Sequence, residues 1–401
     1  MKNEYIRVPY GSTVHGPDEI EAVIKVLNTS TQMGLRTKEF ESKVSRLFNK
    51  EFGLMVNSGS SALYLAIESI GLEKDSEVIT PVLTFATTVG SLVKNSLIPV
   101  FVDVSPNTYC INTDLVQEKV SEKTKAILAP NLIGNICEWH KLREIADKNN
   151  LILIEDSADT LGATLNGIST GSFCDLSITS FYGSHIINGA GNGGMLCTSN
   201  KSVYEKAKLL RSWGRSSSLF SNSESIEDRF KVNLEGIDYD AKFVFEEIGY
   251  QLESSEISAA FALIQLKNLS NNIKRRQEIF EEHTKFLSNY SQWISLPQQT
   301  ISSYTGWLAF PIVISEKAPF TRRELQIFLE NRNIQTRVVF TGNILRQPGF
   351  KSINCVGKAD EFAVADEVMK GGMLMACHHG LTEEHLQHIH DSMKVFFSDY
   401  Q

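Results

Sequence analysis

The chain has 401 residues and a net charge of −8, with 42% hydrophobic and 21% charged residues, a composition typical of a globular enzyme with one large and one smaller domain. Its acidic charge and the lack of a long basic run argue against a nucleic-acid or anionic-membrane partner. No apolar stretch reaches the roughly 18 residues of a membrane span, and residues 1–7 lack the apolar core of a signal peptide, so we expect a cytoplasmic protein.

The first part of the chain alternates predicted helices with predicted strands. A helix begins at Pro17, because proline is favoured in a first turn, and apolar spacing predicts a second helix over 37–48. Predicted strands follow at 54–56, 77–81, 100–104, 125–133 and 151–156, with helices between them. Continuous apolar strands separated by helices indicate an α/β domain with a mostly parallel sheet.

Small, aromatic and acidic residues stand at or just past the ends of these strands, where parallel sheets bind ligands. These residues are Ser58, Gly59, Ser60, Phe85 and Asp156. The run Asn57–Ser61 precedes a helix predicted to begin at Ala62. Free N–H groups and the positive end of the helix dipole would make an anion site there. An ordinary N-cap, which serine also favours, is an equally good interpretation of the same run.

A glycine-rich stretch, Thr179–Gly194, lies between predicted strands at 176–178 and 195–197. It holds Ser180, His185 and the glycines 183, 189, 191, 193 and 194, which indicate a loop whose shape requires residues without a Cβ. Taken alone, such a loop is more typical of a plain turn with a structural histidine. The position of Ser180 beside the other strand ends favours a functional site.

The C-terminal part predicts a smaller α+β unit. Helices are predicted over 203–210, 253–266, 271–286 and 383–397, strands over 308–314 and 336–340, and a mobile, serine-rich loop over 216–227. Thr321 and Glu324 form a capping-box pattern. We assign residues 1–270 to a large domain and residues 271–401 to a small C-terminal domain. His378 and His379 lack a third ligand at metal-site spacing, so we expect surface or substrate-pocket histidines there.

A phosphate cradle, an aromatic side chain and a carboxylate at neighbouring strand ends are the parts needed to hold pyridoxal phosphate. At this point the chain resembles, over nearly its whole length, the DegT/DnrJ/EryC1/StrS sugar aminotransferases. The matching segments are 57–63, 84–85, 155–163, 180–182, 191–196 and 248–252. The resemblance implies the aspartate aminotransferase fold, which is fold type I of the pyridoxal-phosphate enzymes.

The resemblance also implies a role for each matching residue. Ser58, Gly59, Ser60 and Ser180 would hold the phosphate, Phe85 would stack on the ring, and Asp156 would pair with the ring nitrogen. Asp159 stands where the aminotransferases usually have a glutamine near the ring hydroxyl. Gln251 stands where they usually have an asparagine that reaches the partner subunit's phosphate, which implies a homodimer.

His185 stands where the aminotransferases carry the lysine that forms a Schiff base. Histidine occupies this position in one branch of the family, the 3-dehydratases of deoxysugar biosynthesis, for example for lipopolysaccharide O-antigen. The resemblance implies pyridoxamine phosphate as cofactor, a nucleotide-linked 4-keto-6-deoxyhexose as substrate and glutamate as amino donor. His185 would be the base, since the pKa of an unperturbed imidazole lies near neutrality.

The branch divides on whether an iron–sulfur cluster is present. Ascarylose-type enzymes have a C-x-C close after an Arg-x-Trp-Gly-Arg segment, whereas Arg211–Leu219 has no cysteine here. The six cysteines are scattered singly, so we expect buried thiols and neither an iron–sulfur cluster nor another metal site. The alternatives are a reductase-coupled 3-dehydrase without its own cluster, a sugar aminotransferase and a noncatalytic pyridoxal-phosphate-binding regulator. The nucleotide and the stereochemistry of the sugar stay open.

Overall fold

Helices and strands alternate as predicted in the computed structural model, which describes residues 5–220 and 224–400. The helices are α1 (Pro17–Leu27), α2 (Leu35–Leu47), α3 (Gly59–Ser69), α4 (Ala86–Lys94), α5 (Thr113–Val116), α6 (Trp139–Asn149), α7 (Lys201–Arg211), α8 (Ile226–Arg229), α9 (Glu256–Lys267), α10 (Leu269–Leu287), α11 (Arg322–Asn331), α12 (Ala363–Gly371) and α13 (Glu383–Ser398). The strands are β1 (Phe52–Val56), β2 (Glu77–Pro81), β3 (Ile98–Val102), β4 (Thr124–Pro130), β5 (Ile152–Asp156), β6 (Thr164–Leu165), β7 (Ile168–Ser169), β8 (Leu176–Ser180), β9 (Gly194–Thr198), β10 (Val232–Leu234), β11 (Ile237–Tyr239), β12 (Ile294–Ser295), β13 (Ser303–Tyr304), β14 (Ala309–Ile314), β15 (Arg337–Val338) and β16 (Gly372–Ala376).

The larger sheet has seven strands in the order β3-β2-β4-β5-β8-β9-β1. The strands from β3 to β8 run parallel, whereas β9 is antiparallel to both β8 and β1. One face packs on α3 and α7, and the other packs on α6, so the apolar strands are covered on both sides. This arrangement confirms the predicted α/β class with a mostly parallel central sheet.

A second sheet of four strands, in the order β12-β14-β16-β15, is antiparallel throughout. It packs with α11, α12 and α13 around an apolar core. The predicted capping box is present, since Thr321 and Glu324 satisfy each other's backbone N–H groups at the start of α11. The smaller α+β unit is therefore present, and the division at residue 270 stays a prediction.

Some element boundaries differ from those predicted. Helix α3 begins at Gly59, not at Ala62, because Ser58 is the N-cap and its hydroxyl accepts the N–H of Ser61. Strand β4 ends at Pro130, not at residue 133, because Ile133 has a φ of +62°. Strand β16 was not predicted, because it begins at the second of two consecutive glycines, a pair that is typical of a turn.

The turn that carries His185 rests on an apolar cluster formed with α2 and α9. The ring of Phe40 meets the ring of Phe181 edge-on at 4.8 Å between centroids. Ile186 and Ile187 are buried in the same cluster. Packing on both sides of His185 along the chain therefore anchors a loop that its glycines would otherwise leave free to move.

Two further sequence-based expectations concern regions outside the sheets. Residues 221–223 of the serine-rich loop predicted over 216–227 lie outside the described residues. The same is true of residues 1–4 of the predicted large domain and residue 401 of the predicted small domain. Within that loop, residues 216–219 form a 3₁₀ helix, and residues 226–227 are the start of helix α8. Within residues 5–220 and 224–400, no helix is both long and apolar enough to cross a bilayer.

Candidate active site

A cavity of about 430 Å³ opens at the carboxyl ends of the parallel strands. Every predicted site residue except Gln251 lines this cavity: Ser58, Gly59, Ser60, Phe85, Asp156, Asp159, Ser180 and His185. Gln251 is exposed, and its backbone pairs with Ser212 away from the cavity. The fold thus brings together residues that lie up to 127 positions apart (185 minus 58) at one edge of the sheet.

The floor of the cavity is the N-terminal turn of α3, held very close to the glycine-rich loop. The Ser58 hydroxyl caps the helix at Ser61, and the first-turn N–H groups of Gly59 and Ser60 have no intrahelical acceptor. A Cβ on Gly194 would lie 2.2 Å from the carbonyl oxygen of Ser58, and one on Gly59 would lie 2.6 Å from the Cβ of Ser180. Only glycine permits this approach, which leaves a small cradle of N–H donors.

Asp156 closes the cavity at the end of β5. Its carboxylate accepts hydrogen bonds from the Thr88 hydroxyl at 3.0 Å and from the N–H of Ala158 at 3.2 Å. Burial raises the pKa of Asp156 to about 6. Because no Lys or Arg is among the described residues that line the cavity, a cationic ligand group would complement this carboxylate.

Asp159 and His185 face each other across the cavity. Asp159 Oδ1 lies 3.9 Å from His185 Nε2, and the other oxygen of Asp159 accepts the N–H of Ile133 at 2.9 Å. Burial, together with the charge of Asp156, raises the pKa of Asp159 to about 7. The Asp159 carboxyl can therefore hold a proton beside the imidazole near neutral pH.

His185 is enclosed, with only 14% of its side chain exposed. Its Nδ1–H donates to the carbonyl of Ser180 at 3.3 Å, which leaves the lone pair on Nε2. The expected near-neutral pKa is wrong for this site, because burial lowers the pKa of His185 to about 4. His185 is therefore neutral at pH 7, with Nε2 able to take up a proton.

Phe85 stands at the mouth of the cavity, where 53% of it is exposed. Its ring meets Phe340 edge-on at 5.8 Å between centroids. Phe340 lies in the predicted strand 336–340, but its φ of +40° takes it out of the strand and into the cavity wall. Tyr10 also lines the cavity. Neither residue stood out in the sequence, because each follows an ordinary apolar or extended run.

The two C-terminal histidines lie outside the cavity and differ in exposure. His378 is 1% exposed, and its Nε2 bonds to the carbonyl of Pro9. The Nδ1 of His379 accepts a hydrogen bond from Arg276. Neither histidine lines the cavity. The predicted surface location is wrong for His378, which is buried, whereas His379 is half-buried.

The model of the DegT/DnrJ/EryC1/StrS aminotransferase family matches residues 14–394. The "Lipopolysaccharide biosynthesis protein RfbH" of Salmonella typhimurium is 33% identical over 97% of this chain and 92% of its own length. The "dTDP-4-dehydro-2,6-dideoxy-D-glucose 3-dehydratase" of Saccharopolyspora spinosa is 34% identical over 97% of this chain and 86% of its own length.

A solved structure is similar over the same extent. The crystal structure of GDP-4-keto-6-deoxymannose-3-dehydratase "with a trapped PLP-glutamate geminal diamine" superimposes with a TM-score of 0.87. It is 25% identical and covers 96% of this chain and all of its own chain, 100%. The predicted type I fold of the pyridoxal-phosphate enzymes is thereby confirmed.

A methyl group on Gly59 should abolish the cradle at the start of α3. Its Cβ would displace Ser180, so we expect Gly59→Ala to weaken pyridoxal-phosphate binding by about tenfold or more. This is the effect of losing at least one charge-assisted hydrogen bond. Absorbance titration of purified protein measures this affinity. Gly90→Ala, on α4 with open space around its Cβ, is the matched control and should bind as wild type. Unchanged affinity in Gly59→Ala would remove Gly59 from the phosphate site.

The raised pKa of Asp159 should make the folding stability of the cofactor-free protein depend on pH. A carboxyl whose folded-state pKa exceeds its unfolded value contributes stability below the unfolded pKa, and this stability is lost as pH rises through the folded pKa of about 7. Asp159→Asn should therefore be more stable than wild type near pH 8, by on the order of 2–4 kcal/mol, with the gain shrinking towards pH 4. Melting temperatures across pH measure this. Asp399→Asn, at an exposed position, is the control, and equal melting of Asp159→Asn and wild type near pH 8 would contradict the prediction.

Proposed function

The chain belongs to the DegT/DnrJ/EryC1/StrS aminotransferase family, and from this membership we propose that it is a 3-dehydratase of nucleotide-linked 4-keto-6-deoxyhexoses. The enzyme uses pyridoxal phosphate and pyridoxamine phosphate, and it works in deoxysugar biosynthesis. The observation that carries the proposal is His185, whose unprotonated Nε2 faces a cavity that no lysine lines among the described residues. The two relatives named above are a lipopolysaccharide biosynthesis protein and a sugar 3-dehydratase, which supports the proposal.

The residues of the cavity fit pyridoxal phosphate. The N–H cradle of Ser58–Ser60 and the Ser180 hydroxyl bind the phosphate, because unpaired N–H groups at a helix N-terminus attract anions. Phe85 would cover one face of the ring. Asp156 has no cationic partner among the described residues, and its carboxylate would keep the ring nitrogen protonated. When bound, the cofactor supplies an electron sink that lets the 3-hydroxyl of the sugar leave.

His185 and Asp159 handle the proton. Nε2 of His185 takes a proton, and the hydrogen bond from Nδ1–H to Ser180 holds the ring in the tautomer that allows this. Because burial makes the imidazolium a stronger acid than free histidine, it readily gives the proton to the departing hydroxyl. Asp159 lies close enough to Nε2 to hold or return a proton between steps.

Glutamate is the amino donor, and its use balances the reaction. It supplies the electron pair that replaces the C–O bond at C3 of the sugar with a C–H bond. Glutamate leaves as its keto acid, and its nitrogen leaves as ammonia. The related structure with a trapped PLP-glutamate adduct supports this assignment, and no added reductase or iron–sulfur cluster is then needed.

A second copy of the chain completes the site. The cofactor and the nucleotide diphosphate are anionic, yet no Lys or Arg lines the cavity among the described residues. Large apolar side chains are exposed near Gln251, including Phe243, Phe245 and Ile248, the last at 94%. Such a surface suits burial against another subunit. Gln251 of one subunit then reaches the phosphate in the cavity of the other.

Turnover is the direct test of the reaction. With glutamate and GDP-, CDP- or dTDP-linked 4-keto-6-deoxyhexose, we expect release of ammonia and loss of the 3-hydroxyl. Mass spectrometry of the sugar product measures the loss of the hydroxyl. His185→Asn keeps the size and polarity of the ring edge but not a base, so turnover should fall by about 10²–10⁴-fold while cofactor binding persists.

Other outcomes separate the alternatives. A 4-amino sugar that keeps its 3-hydroxyl would identify an aminotransferase. Turnover only with an added reductase would identify the reductase-coupled reaction. Cofactor binding without turnover of any of these substrates would favour a regulator. Full activity of His185→Asn would remove His185 from the chemistry.

Mixed dimers test the assignment of Gln251. Gln251→Glu places a negative charge at the proposed phosphate contact and should lower activity. Mixing it with inactive His185→Asn should restore part of the activity, because one site of each mixed dimer then has an intact cavity and an intact Gln251 from its partner. Light scattering establishes the dimer independently. No restoration in a proven mixed dimer would show that Gln251 does not act across the interface.

A further inference from the structure

Arg276 on α10 is a fully buried cation that uses all five of its N–H groups. Its acceptors are His379 Nδ1 at 3.2 Å, the carbonyls of Trp307 and Leu308 at 3.0 and 3.2 Å, and the carbonyls of Ser184 and His185, both at 3.2 Å. The guanidinium therefore joins the turn that carries the proposed base to the chain segment that forms the opposite wall of the cavity.

The partners of Arg276 are all uncharged groups. No carboxylate lies within ion-pair distance of it in the part of the chain that the structure describes. Burying a cation that has no carboxylate in ion-pair contact is costly even when its hydrogen bonds are satisfied. An apolar side chain at this position would destabilise the fold less than a buried cation does. We therefore infer a use for the charge and for the forked donor geometry.

A chain of contacts that starts and ends at Arg276 passes through both proton-handling groups. Arg276 donates to the carbonyl of Leu308, and the N–H of Leu308 donates to the carbonyl of Ile133 at 2.8 Å. The N–H of Ile133 donates to Asp159 at 2.9 Å, and Asp159 lies 3.9 Å from Nε2 of His185. The carbonyl of His185 returns to Arg276. The only gap in this ring is the one between Asp159 and His185.

We propose that Arg276 is a positioning residue that sets the separation of the Asp159 carboxyl from the His185 imidazole. The inference rests on the proposed 3-dehydratase function. The planar guanidinium of Arg276 fixes the position of the His185 turn relative to the Leu308 segment. Through Leu308 it also fixes the positions of Ile133 and Asp159. A separation of 3.9 Å leaves the two groups unbonded to each other and both directed at the ligand space.

The charge of Arg276 acts on the imidazole as well. Burial is the main cause that lowers the pKa of His185, and the positive charge of Arg276 lowers it further. The other titratable groups that line the same cavity are Asp156, Asp159, Tyr10 and Tyr182. Among the described residues no Lys or Arg lines the cavity, so removing the guanidinium should make protonation of His185 easier.

Two variants separate the fork from the charge. Arg276→Lys keeps the charge but loses the planar set of donors, whereas Arg276→Met loses both and suits a buried site. The matched control is Arg275→Met, on the same helix. Arg275 points away from the cavity, donates to Glu383 and the carbonyl of Leu381, and has 28% of its side chain exposed.

Kinetics of the cofactor-loaded enzyme give the first readout. We expect kcat for 3-dehydration, per cofactor-loaded site, to fall by about 100-fold in both Arg276 variants, because a misplaced catalytic group costs that much. KM should change little, and Arg275→Met should match wild type. A merely structural role would lower the melting temperature and the loaded fraction but leave kcat per loaded site unchanged, and that result would overturn the proposal.

Titration of the cofactor-free protein gives the second readout. With histidine labelled at Cε1, the NMR signal of His185 is the one missing from His185→Asn. Wild type and Arg276→Lys should titrate near pH 4, and Arg276→Met at higher pH. Identical titration in all three proteins would overturn the electrostatic part. If wild type shows no 3-dehydration, the proposed function fails, and the titration still decides whether the charge of Arg276 acts on His185.

Discussion

The cavity depends on the backbone contact between the start of α3 and the start of β9. Gly194 approaches the carbonyl of Ser58 so closely that a Cβ would lie 2.2 Å from it. This contact exists because β9 runs antiparallel between β1 and β8, so its first residue lies at the same edge as their last ones. The N–H cradle, Ser180 and the turn that carries His185 all take their places from it.

Charge is distributed in the site in a way that favours function over stability. Two carboxyls with raised pKa values, Asp156 and Asp159, are buried in one cavity, and the adjacent guanidinium of Arg276 has neutral partners only. Each of these groups costs folding free energy in the absence of a ligand. The protonated ring nitrogen and the phosphate of the cofactor, together with the nucleoside diphosphate of the substrate, would compensate several of these buried charges at once. Such strained electrostatics is expected where proton transfer and anion binding occur together.

The strand ends could be predicted from the sequence because parallel strands read as continuous apolar runs, and residues such as Asp156 and Ser180 follow directly. Local patterns also gave the capping box at Thr321. The exact start of α3 could not be predicted, since Ser58 and Ser61 are equally good caps until the contact with Gly194 is known. The pKa of His185 arises from burial, and the role of Arg276 arises from partners 31 to 103 residues away in sequence, which no local pattern encodes.

The place of β1 in the large sheet has a consequence for how the protein is made. This strand pairs within the sheet only with β9, whose residues come about 140 positions later (Phe52 with Thr198, for example). Contacts of such long sequence separation form slowly, because the intervening chain must first be ordered. On the ribosome, the N-terminal strand must wait for most of the large unit to emerge. The cofactor can therefore be captured only by a chain whose synthesis has passed β9, and no shorter nascent fragment carries the complete phosphate cradle.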